Sequence, residues 1–321
     1  MQKRKMLLDQ DSRNQLKNLF RSRIGFDEPM SRHTYFRVGG PAEAFIAPEN
    51  IKQLAEIISW SGNKGIPYIV IGDGSNLLVK DNGIPGIVIL LTKCLNGIIC
   101  SGKETEPVLV TAMAGVKTQT LCRFAIEEGL SGMNFALGIP GTIGGAIMMN
   151  AGTSYGSISD ILNSVNVMIS SGAMLKITKD DMAFSYRKFS WNISLMVRCK
   201  GAPIIIDGCF VLRRSDPALL KKEAGEILKK RRENQPSEMP SAGCFFKNPP
   251  AGKTAGQLID MAGLKGTRIG GAEISAKHAN FIVNTGKASA SDILGLMQLI
   301  QKKVSDKFDI ILEPEVKIVG I

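Results

Sequence analysis

The sequence predicts an α+β protein with two lobes, followed by a smaller α+β domain. The chain has 321 residues, which is more than one small hydrophobic core normally contains. Its first part shows β–α–β order, whereas its middle part has short apolar runs between glycines. A polar linker that contains prolines, at residues 234–240, then precedes a third region with its own helices and short strands.

The first lobe is predicted from one helix between two strands. Asn50 can cap a helix that starts at Ile51 and ends at Gly65, and a buried strand follows at residues 68–71. We therefore expect an N-terminal helical segment at residues 1–30 and a first lobe at about residues 31–82.

The second lobe is predicted from recurring apolar runs with one helix between them. The runs lie at residues 87–91, 108–113, 165–169 and 204–212, and the helix lies at residues 118–128. We expect this lobe at about residues 83–215, so that residues 31–215 form one two-lobed domain.

The third region begins with a helix at residues 216–232. A second long helix is predicted at residues 291–308 and a final strand at residues 310–319. We therefore expect a C-terminal domain at residues 216–321, whose last strand returns to the first lobe.

The formal net charge of +11 allows two interpretations. It can reflect a solvated basic surface or attraction to an anionic partner such as a small phosphorylated ligand. The two main basic clusters, residues 3–5 and 229–232, are short, and the second is typical of a helix end. Because no basic stripe is interleaved with aromatic residues, nucleic-acid binding is not expected.

The cysteines and histidines do not indicate a metal site. The six cysteines form no Cys-x-x-Cys pair, and only two histidines are present. The polar residues 1–18 lack the apolar region of a signal peptide, and no apolar stretch is long enough to span a membrane. We expect a cytoplasmic monomer that binds no metal and no membrane.

A glycine-rich loop directly follows the predicted strand at residues 68–71. Gly72 and Gly74 allow positive φ and expose backbone N–H groups, while Ser75 and Asn76 add side-chain donors. Such a loop can hold a pyrophosphate without a lysine, and an ordinary turn between strands is the alternative.

A second glycine-rich run occupies residues 138–146. So many small residues indicate that another body approaches the backbone closely, either a packed strand or a flat cofactor. The spacing differs from the Rossmann dinucleotide-binding pattern, and no strand precedes the run tightly.

Together the two loops resemble a known family. Residues 72–78 are Gly-Asp-Gly-Ser-Asn-Leu-Leu, and residues 138–146 are Gly-Ile-Pro-Gly-Thr-Ile-Gly-Gly-Ala. This pair of loops is similar to the FAD-binding module of the vanillyl-alcohol oxidase (PCMH) type. Within that type, residues 34–320 most resemble the UDP-N-acetylenolpyruvoylglucosamine reductases. The resemblance implies non-covalent FAD, held by Gly72, Gly74, Ser75, Asn76, Leu77, Ala114, Gly115, Gly138, Pro140, Gly141, Thr142, Gly144 and Ala146.

Two further polar segments gain meaning from this resemblance. Arg187 by itself could be a surface cation or a planar donor to a carboxylate. The family has a Tyr-Arg pair at Tyr186 and Arg187, whose arginine stabilises an enolate. A lone cysteine such as Cys244 is most often a small buried hydrophobe. The family instead has a serine or cysteine there as proton donor, followed by substrate ligands at Lys247 and Asn248.

The C-terminal strand contains two glutamates, Glu313 and Glu315, on the same side. Without the resemblance, this segment is typical of a solvated edge strand protected by charge and proline. Alternation does not choose between the two glutamates, but the family's catalytic glutamate precedes a Val-Arg or Val-Lys pair, which selects Glu315. Gln257 and His278 are further candidates for the substrate pocket.

The resemblance implies the NADPH-dependent reduction of UDP-N-acetylglucosamine enolpyruvate to UDP-N-acetylmuramate in peptidoglycan precursor synthesis, with both reactants using one pocket. Residues 188–190 depart from the family pattern, and the short stretch from Tyr186 to Arg214 resembles the family's shorter type, which lacks a tyrosine-bearing loop.

Two other classes of function remain open. One is an FAD oxidase of the same fold that acts on an alcohol or hydroxy acid. Neither His33 nor His278 has the context of covalent FAD attachment. The other is a basic nucleotide-binding protein without enzymatic activity, which a flavin absorbance spectrum would distinguish from both enzymes.

Overall fold

The computed structural model describes residues 6–101, 106–192 and 203–321. The helices in these residues are α1 (Gln10–Phe20), α2 (Ile51–Lys64), α3 (Thr118–Glu127), α4 (Ile143–Met148), α5 (Ile158–Ile161), α6 (Pro217–Asn234), α7 (Ala255–Met261) and α8 (Ala290–Phe308). The strands are β1 (Ile24–Pro29), β2 (Pro41–Ile46), β3 (Tyr68–Ile71), β4 (Leu77–Val79), β5 (Ile84–Leu90), β6 (Ile98–Ser101), β7 (Val108–Met113), β8 (Leu130–Ser131), β9 (Gly152–Thr153), β10 (Gly156–Ser157), β11 (Leu162–Met168), β12 (Met174–Thr178), β13 (Met182–Ser185), β14 (Lys188–Trp191), β15 (Ile204–Arg214), β16 (Arg268–Ile269), β17 (Ala272–Ile274), β18 (Ile282–Asn284) and β19 (Lys317–Val319).

The first sheet has the order β1-β2-β5-β3, and α2 connects β2 to β3. The Asn50 side chain caps α2 by accepting the N–H of Gln53, and Gly65 ends the helix in the left-handed conformation with φ +64°. The predicted helix is therefore confirmed. The predicted lobe boundary between residues 82 and 83 is wrong, because β5 pairs in parallel with both β2 and β3 inside this sheet.

The second sheet is antiparallel, with the order β12-β11-β15-β7-β6. Its long central strand β15 contains Gly208, where an added Cβ would lie 2.8 Å from the Ile147 side chain of α4. Glycine thus allows α4 to pack closely on the sheet. This contact fixes the glycine-rich run at residues 138–146, which ends inside α4.

The C-terminal region forms its own core from α7, α8 and the sheet β16-β17-β18, and this core includes Phe36 and Leu78 from the first lobe. Asp81 of the first lobe accepts the N–H groups of Ala290 at 2.8 Å and Ser291 at 2.9 Å. A carboxylate at this place satisfies free N–H groups and interacts favourably with the positive end of the α8 dipole.

The final strand is shorter than predicted. Of residues 310–319, only β19 is a strand, and it pairs in parallel with β4. The segment before β19 makes only an isolated bridge between Pro314 and Phe246, closed by the N–H groups of Glu315 and Lys247. The sequence predicts that no tyrosine-bearing loop lies between Tyr186 and Arg214. Residues 193–202 of this stretch lie outside the described residues.

Helix α1 starts at Gln10, and residues 1–5 of the predicted N-terminal helix lie outside the described residues. Within the described parts of the chain, no helix combines the length and the apolar composition needed to cross a bilayer.

The fully buried Glu43 of β2 attaches the segment before α1 to the first sheet. One carboxylate oxygen, Oε1, accepts the N–H groups of Leu7 at 2.7 Å and Leu8 at 2.6 Å, and Oε2 accepts that of Gly86 at 2.8 Å. A buried carboxylate is tolerated when such hydrogen bonds replace its water.

The variant Glu43→Gln should lower the free energy of unfolding by about 1–3 kcal/mol, because one N–H acceptor becomes an NH₂ donor. Urea unfolding followed by tryptophan fluorescence measures this change. Glu49→Gln is the control, since the Glu49 side chain makes an exposed ion pair with Arg23 and such pairs contribute about 0–1 kcal/mol. Equal losses in the two variants would contradict the role of Glu43.

Candidate active site

A cavity of about 2790 Å³ lies where the two lobes and the C-terminal region meet. Its wall includes the two glycine-rich loops, the turn of the β13–β14 hairpin, the segment at residues 235–248 and residues 314–319. In the described residues, no cluster of histidine, cysteine or carboxylate side chains is arranged to hold a metal.

The first loop presents unpaired backbone N–H groups. Among the described residues, no acceptor is found for the N–H groups of Gly72, Gly74 or Ser75, nor for that of Thr142 in the second loop. Gly74 has φ +64°, and a Cβ there would collide with the carbonyl oxygen of His33. Since free backbone N–H groups require an acceptor, these two loops form an anion-binding wall.

The two loops touch each other directly. The Ser75 hydroxyl donates to the Pro140 carbonyl at 3.3 Å. Gly141 has φ +113°, and an added Cβ would lie 2.6 Å from the Ser75 oxygen. A side chain at Gly141 would therefore strain the backbone and separate the loops.

Asp73 places a carboxylate beside this anion-binding wall. It accepts a hydrogen bond from the Tyr35 hydroxyl at 2.7 Å and lies 3.7 Å from the Lys117 ammonium. Burial, and then the hydrogen bond to Asp73, raises the pKa of Tyr35 to about 12, so the phenol remains a donor. The two partners hold and balance the negative charge of Asp73.

Arg187 lies at the turn of the β13–β14 hairpin, with φ +53°. Its Nη2 donates to the Gly152 carbonyl at 2.8 Å, and its Nε lies 2.8 Å from Oε1 of Glu315. The Nε–H is not aligned with that carboxylate and has no hydrogen-bond partner among the described residues, although it is buried. The guanidinium is thus held between Gly152 and Glu315 on the wall of the cavity.

Backbone pairing places Cys244 beside Glu315. The N–H of Glu315 donates to the Phe245 carbonyl at 2.8 Å, and the N–H of Lys247 donates to the Glu313 carbonyl at 2.9 Å. The Glu315 side chain lies beside Arg187, whereas Glu313 pairs with Lys247 at 3.2 Å and is 73% exposed.

The two titratable groups at this position both have raised pKa values. Burial raises the pKa of the Cys244 thiol to about 12, and the charge of Glu315 adds to this, while Arg187 and Arg231 oppose it. Burial also raises the pKa of Glu315, against the lowering effects of Arg187 and then Lys247. Cys244 is therefore a neutral thiol at pH 7.

Most of the predicted site residues line this one cavity. They are Gly72, Gly74, Ser75, Asn76, Leu77, Ala114, Gly138, Pro140, Gly141, Thr142, Gly144, Ala146, Tyr186, Arg187, Cys244, Lys247, Asn248 and Glu315.

Three predicted residues do not line the cavity and have structural contacts instead. A Cβ at Gly115 would collide with the Leu91 carbonyl, so this glycine allows close packing. Gln257 closes the capping box of α7 by accepting the N–H of Thr254 at 2.9 Å. His278 accepts the N–H of Asn280 on Nδ1 at 3.2 Å, and burial lowers its pKa.

The sequence interpretation missed Arg231, which lines the cavity. Its Nη2 donates to the Gly138 carbonyl at 3.0 Å, and an added Cβ at Gly138 would lie 2.5 Å from its Nε. The basic cluster at 229–232 was assigned to the helix dipole. However, Arg231 follows Leu220, Ala224 and Leu228 at helical spacing on the inward face of α6, which is a readable signal.

Two family models match the chain. Residues 42–178 match the FAD binding domain, and residues 235–319 match the C-terminal domain of UDP-N-acetylenolpyruvoylglucosamine reductase. The reductase of Desulfosudis oleivorans is 45% identical over 98% of this chain and 100% of its own length, and that of Listeria innocua is 40% identical over 92% and 95%.

The chain belongs to the UDP-N-acetylenolpyruvoylglucosamine reductase family. The crystal structure of such a reductase from Thermus caldophilus has a TM-score of 0.74 at 34% identity, and covers 91% of this chain and 97% of that one. The resemblance and the fold class inferred from the two glycine loops are thereby confirmed.

FAD is the cofactor of this family member, and the described residues fit it. The unpaired N–H groups of Gly72, Gly74, Ser75 and Thr142 match a pyrophosphate, which needs several donors. Apolar side chains that include Ile69, Leu90 and Ile204 line the same cavity and suit a flat ring system.

The variant Gly141→Val should weaken FAD binding by about tenfold or more, because its side chain would separate the two loops. Fluorescence titration of the apoprotein with FAD measures the dissociation constant, and circular dichroism checks the fold. Gly225→Ala is the matched control, since Gly225 lies in α6 with open space around its Cβ position. Normal FAD affinity in Gly141→Val would contradict the loop assignment.

Proposed function

We propose that this chain uses NADPH to reduce UDP-N-acetylglucosamine enolpyruvate to UDP-N-acetylmuramate, in the synthesis of peptidoglycan precursors. The observation that carries this proposal is the cluster of Arg187, Glu315 and Cys244 on the wall of the FAD cavity. Membership of the reductase family supports it, and no observation favours an alcohol oxidase or a nucleotide-binding protein without activity.

FAD, held by the two glycine-rich loops, would supply the redox chemistry, which is hydride transfer from NADPH to the vinyl carbon of the enolpyruvyl group. The remaining reaction is a proton transfer to the carbon that bears the carboxylate. Together the hydride and the proton saturate the carbon–carbon double bond, and NADPH becomes NADP⁺.

Arg187 and Glu315 stabilise the negative charge that develops on the substrate carboxylate. The Arg187 guanidinium is a fixed charge on the cavity wall, because its Nη2 is held by Gly152 and its Nε lies beside Glu315. Because burial raises the pKa of Glu315, this carboxyl can share a proton with the enol form more easily than an exposed glutamate can. Groups held in place before the reaction stabilise a charge without reorganisation.

Cys244 delivers the proton to the α carbon. Its raised pKa keeps the thiol protonated, which suits a proton donor and not a nucleophile. The thiolate left after transfer is stabilised by the charges of Arg187 and Arg231. A positioned donor of this kind typically contributes a factor of about 10²–10⁴ in rate.

Three residues at the mouth of the cavity suit the nucleotide sugar. Lys247 supplies a cation for the phosphates. The Tyr186 hydroxyl lies 3.4 Å from the backbone N–H of Asn248, so these two segments already meet across the opening. An aromatic ring and an amide are typical of sugar recognition at such a place.

NADPH and the sugar substrate are proposed to enter this one cavity in turn, because each must reach the same flavin. All the residues assigned here come from one chain, so a monomer suffices for the reaction. Its reactants, NADPH and a UDP-sugar, place the activity in the cytoplasm.

Anaerobic spectroscopy of the purified holoenzyme tests this function. NADPH should bleach the flavin absorbance, and UDP-N-acetylglucosamine enolpyruvate should restore it with one UDP-N-acetylmuramate formed per flavin. Flavin should be released by acid, since its binding is non-covalent. A reduced flavin that only oxygen reoxidises would contradict the proposed substrate.

The variant Glu315→Gln should slow flavin reoxidation by the substrate by on the order of 100-fold, the typical effect of losing a preorganised electrostatic group. Glu313→Gln is its matched control, because Glu313 is 73% exposed and its ion pair is with Lys247. Its effect should be weak. Stopped-flow absorbance measures both rates, and the reverse ranking would show that the wrong glutamate has been assigned.

The variant Cys244→Ala should leave flavin reduction by NADPH nearly intact and slow reoxidation by the substrate roughly 100- to 10,000-fold. Cys244→Ser should keep substantial activity, because a hydroxyl can donate a proton from the same place. Stopped-flow measurement of the two half-reactions separates them. If Cys244→Ala lowers only stability, the cysteine is a packing residue.

A further inference from the structure

Asn280 lies behind the catalytic cluster, outside the cavity wall, and is 3% exposed. Its side-chain oxygen Oδ1 accepts the N–H of Phe246 at 2.9 Å, and its Nδ2 donates to the Phe246 carbonyl at 2.8 Å. Its own carbonyl accepts the N–H of Phe245 at 2.7 Å. A single buried asparagine therefore forms three hydrogen bonds to two consecutive backbone units.

These bonds complete a three-layer backbone arrangement. On its opposite side, the same segment pairs with the C-terminal residues through Glu315 to Phe245 at 2.8 Å and Lys247 to Glu313 at 2.9 Å. Cys244 directly precedes this segment, and Glu315 pairs with its first residue. The position of the thiol relative to the carboxyl group thus depends on how firmly residues 245–247 are held from both sides.

An asparagine amide suits this position because it offers a donor and an acceptor in one plane, as a neighbouring strand would. An aspartate has the same shape, but when ionised it cannot donate to the Phe246 carbonyl. His278 supports the arrangement, since its Nδ1 accepts the N–H of Asn280 at 3.2 Å. The two residues form a continuous hydrogen-bonded path from His278 to the backbone beside Cys244.

We propose that Asn280 is a positioning residue that fixes Cys244 relative to Glu315, with His278 orienting Asn280. Neither residue touches the cavity in the described structure. The catalytic consequence of this inference rests on the proposed function, but the positioning of the thiol does not. His278 thereby acts on the site through the backbone and not as a substrate ligand.

The test compares Asn280→Asp with Asn284→Asp in the holoenzyme. Asn284 is also buried, at 5% exposure, and also holds backbone groups: Nδ2 donates to the Phe36 carbonyl at 2.9 Å, and Oδ1 accepts the N–H of Gly286 at 2.8 Å. It makes no hydrogen bond to residues 244–247 among those described. The pair separates positioning from a general loss of stability.

Asn280→Asp should slow flavin reoxidation by the substrate roughly 10- to 100-fold, which is the order of effect expected when a catalytic group shifts by about an ångström. Flavin reduction by NADPH should change by less than about twofold. For comparison, the loss of one interaction worth 1.4 kcal/mol in that step would slow it about tenfold. Asn284→Asp should change neither rate. Equal slowing of both half-reactions, or identical behaviour of the two variants, would overturn the proposal.

Alkylation of Cys244 by iodoacetamide, located by peptide mass spectrometry, gives a readout that does not require the proposed substrate. The wild-type thiol should react slowly, and Asn280→Ala should react several-fold faster, because the segment loosens and no new carboxylate is placed beside the thiol. Asn284→Ala should resemble the wild type. If the Asn280 variants do not fold, His278→Ala removes the acceptor of the Asn280 N–H, together with the ring contact to Phe281, and should change both readouts in the same direction. Unchanged alkylation and reoxidation would refute positioning, whereas a wild-type enzyme inactive on the enolpyruvyl sugar would refute the proposed function alone.

Discussion

The site depends on one extended segment, residues 313–319, which makes backbone hydrogen bonds on two sides. On one side it pairs with residues 245–247, and on the other β19 pairs with β4, next to the first glycine loop. The Asn76 side chain donates to the Glu315 carbonyl at 3.2 Å, and the N–H of Lys317 donates to the Asn76 carbonyl at 3.0 Å. A residue of the cofactor loop is thus bonded directly to the strand that carries Glu315.

This connection explains why cofactor and catalytic groups can have a fixed separation although they lie far apart in the chain. Backbone hydrogen bonds between adjacent extended segments define spacing more closely than side-chain contacts do. Two further contacts hold the first lobe and the C-terminal region together. Phe36 and Leu78 pack in the core of the C-terminal region, and Asp81 caps α8. The separation of the FAD loops from Glu315 is therefore a property of the fold.

The electrostatics of the cavity suit two anionic ligands and one proton transfer. Neither glycine loop contains a lysine or arginine, and Arg187, Arg231 and Lys247 of other segments also line the cavity. Buried among these cations, Glu315 and Cys244 have raised pKa values because loss of water outweighs the attraction of the charges. Cys244 thus keeps its proton in a cavity whose wall also carries Arg187, Arg231 and Lys247.

Local signals in the sequence determined the helices, and motif order determined the family. The Asn50 cap and Gly65 were readable because capping involves residues only a few positions apart. The glycine loops were readable because they need small residues in a fixed order. Glu315, in contrast, could not be separated from Glu313 by alternation, and only the resemblance selected it.

The tertiary structure decided the contacts between distant segments. It placed β5 in the first sheet, gave Gly115, Gln257 and His278 structural contacts, and brought Arg231 under Gly138. It also placed Asn280 against residues 245–246, 34 residues away in the chain. None of these contacts can be predicted from periodicity or composition. Strand partners and long-range hydrogen bonds depend on how the lobes pack against each other, whereas helix caps and turns depend on residues that are neighbours in sequence.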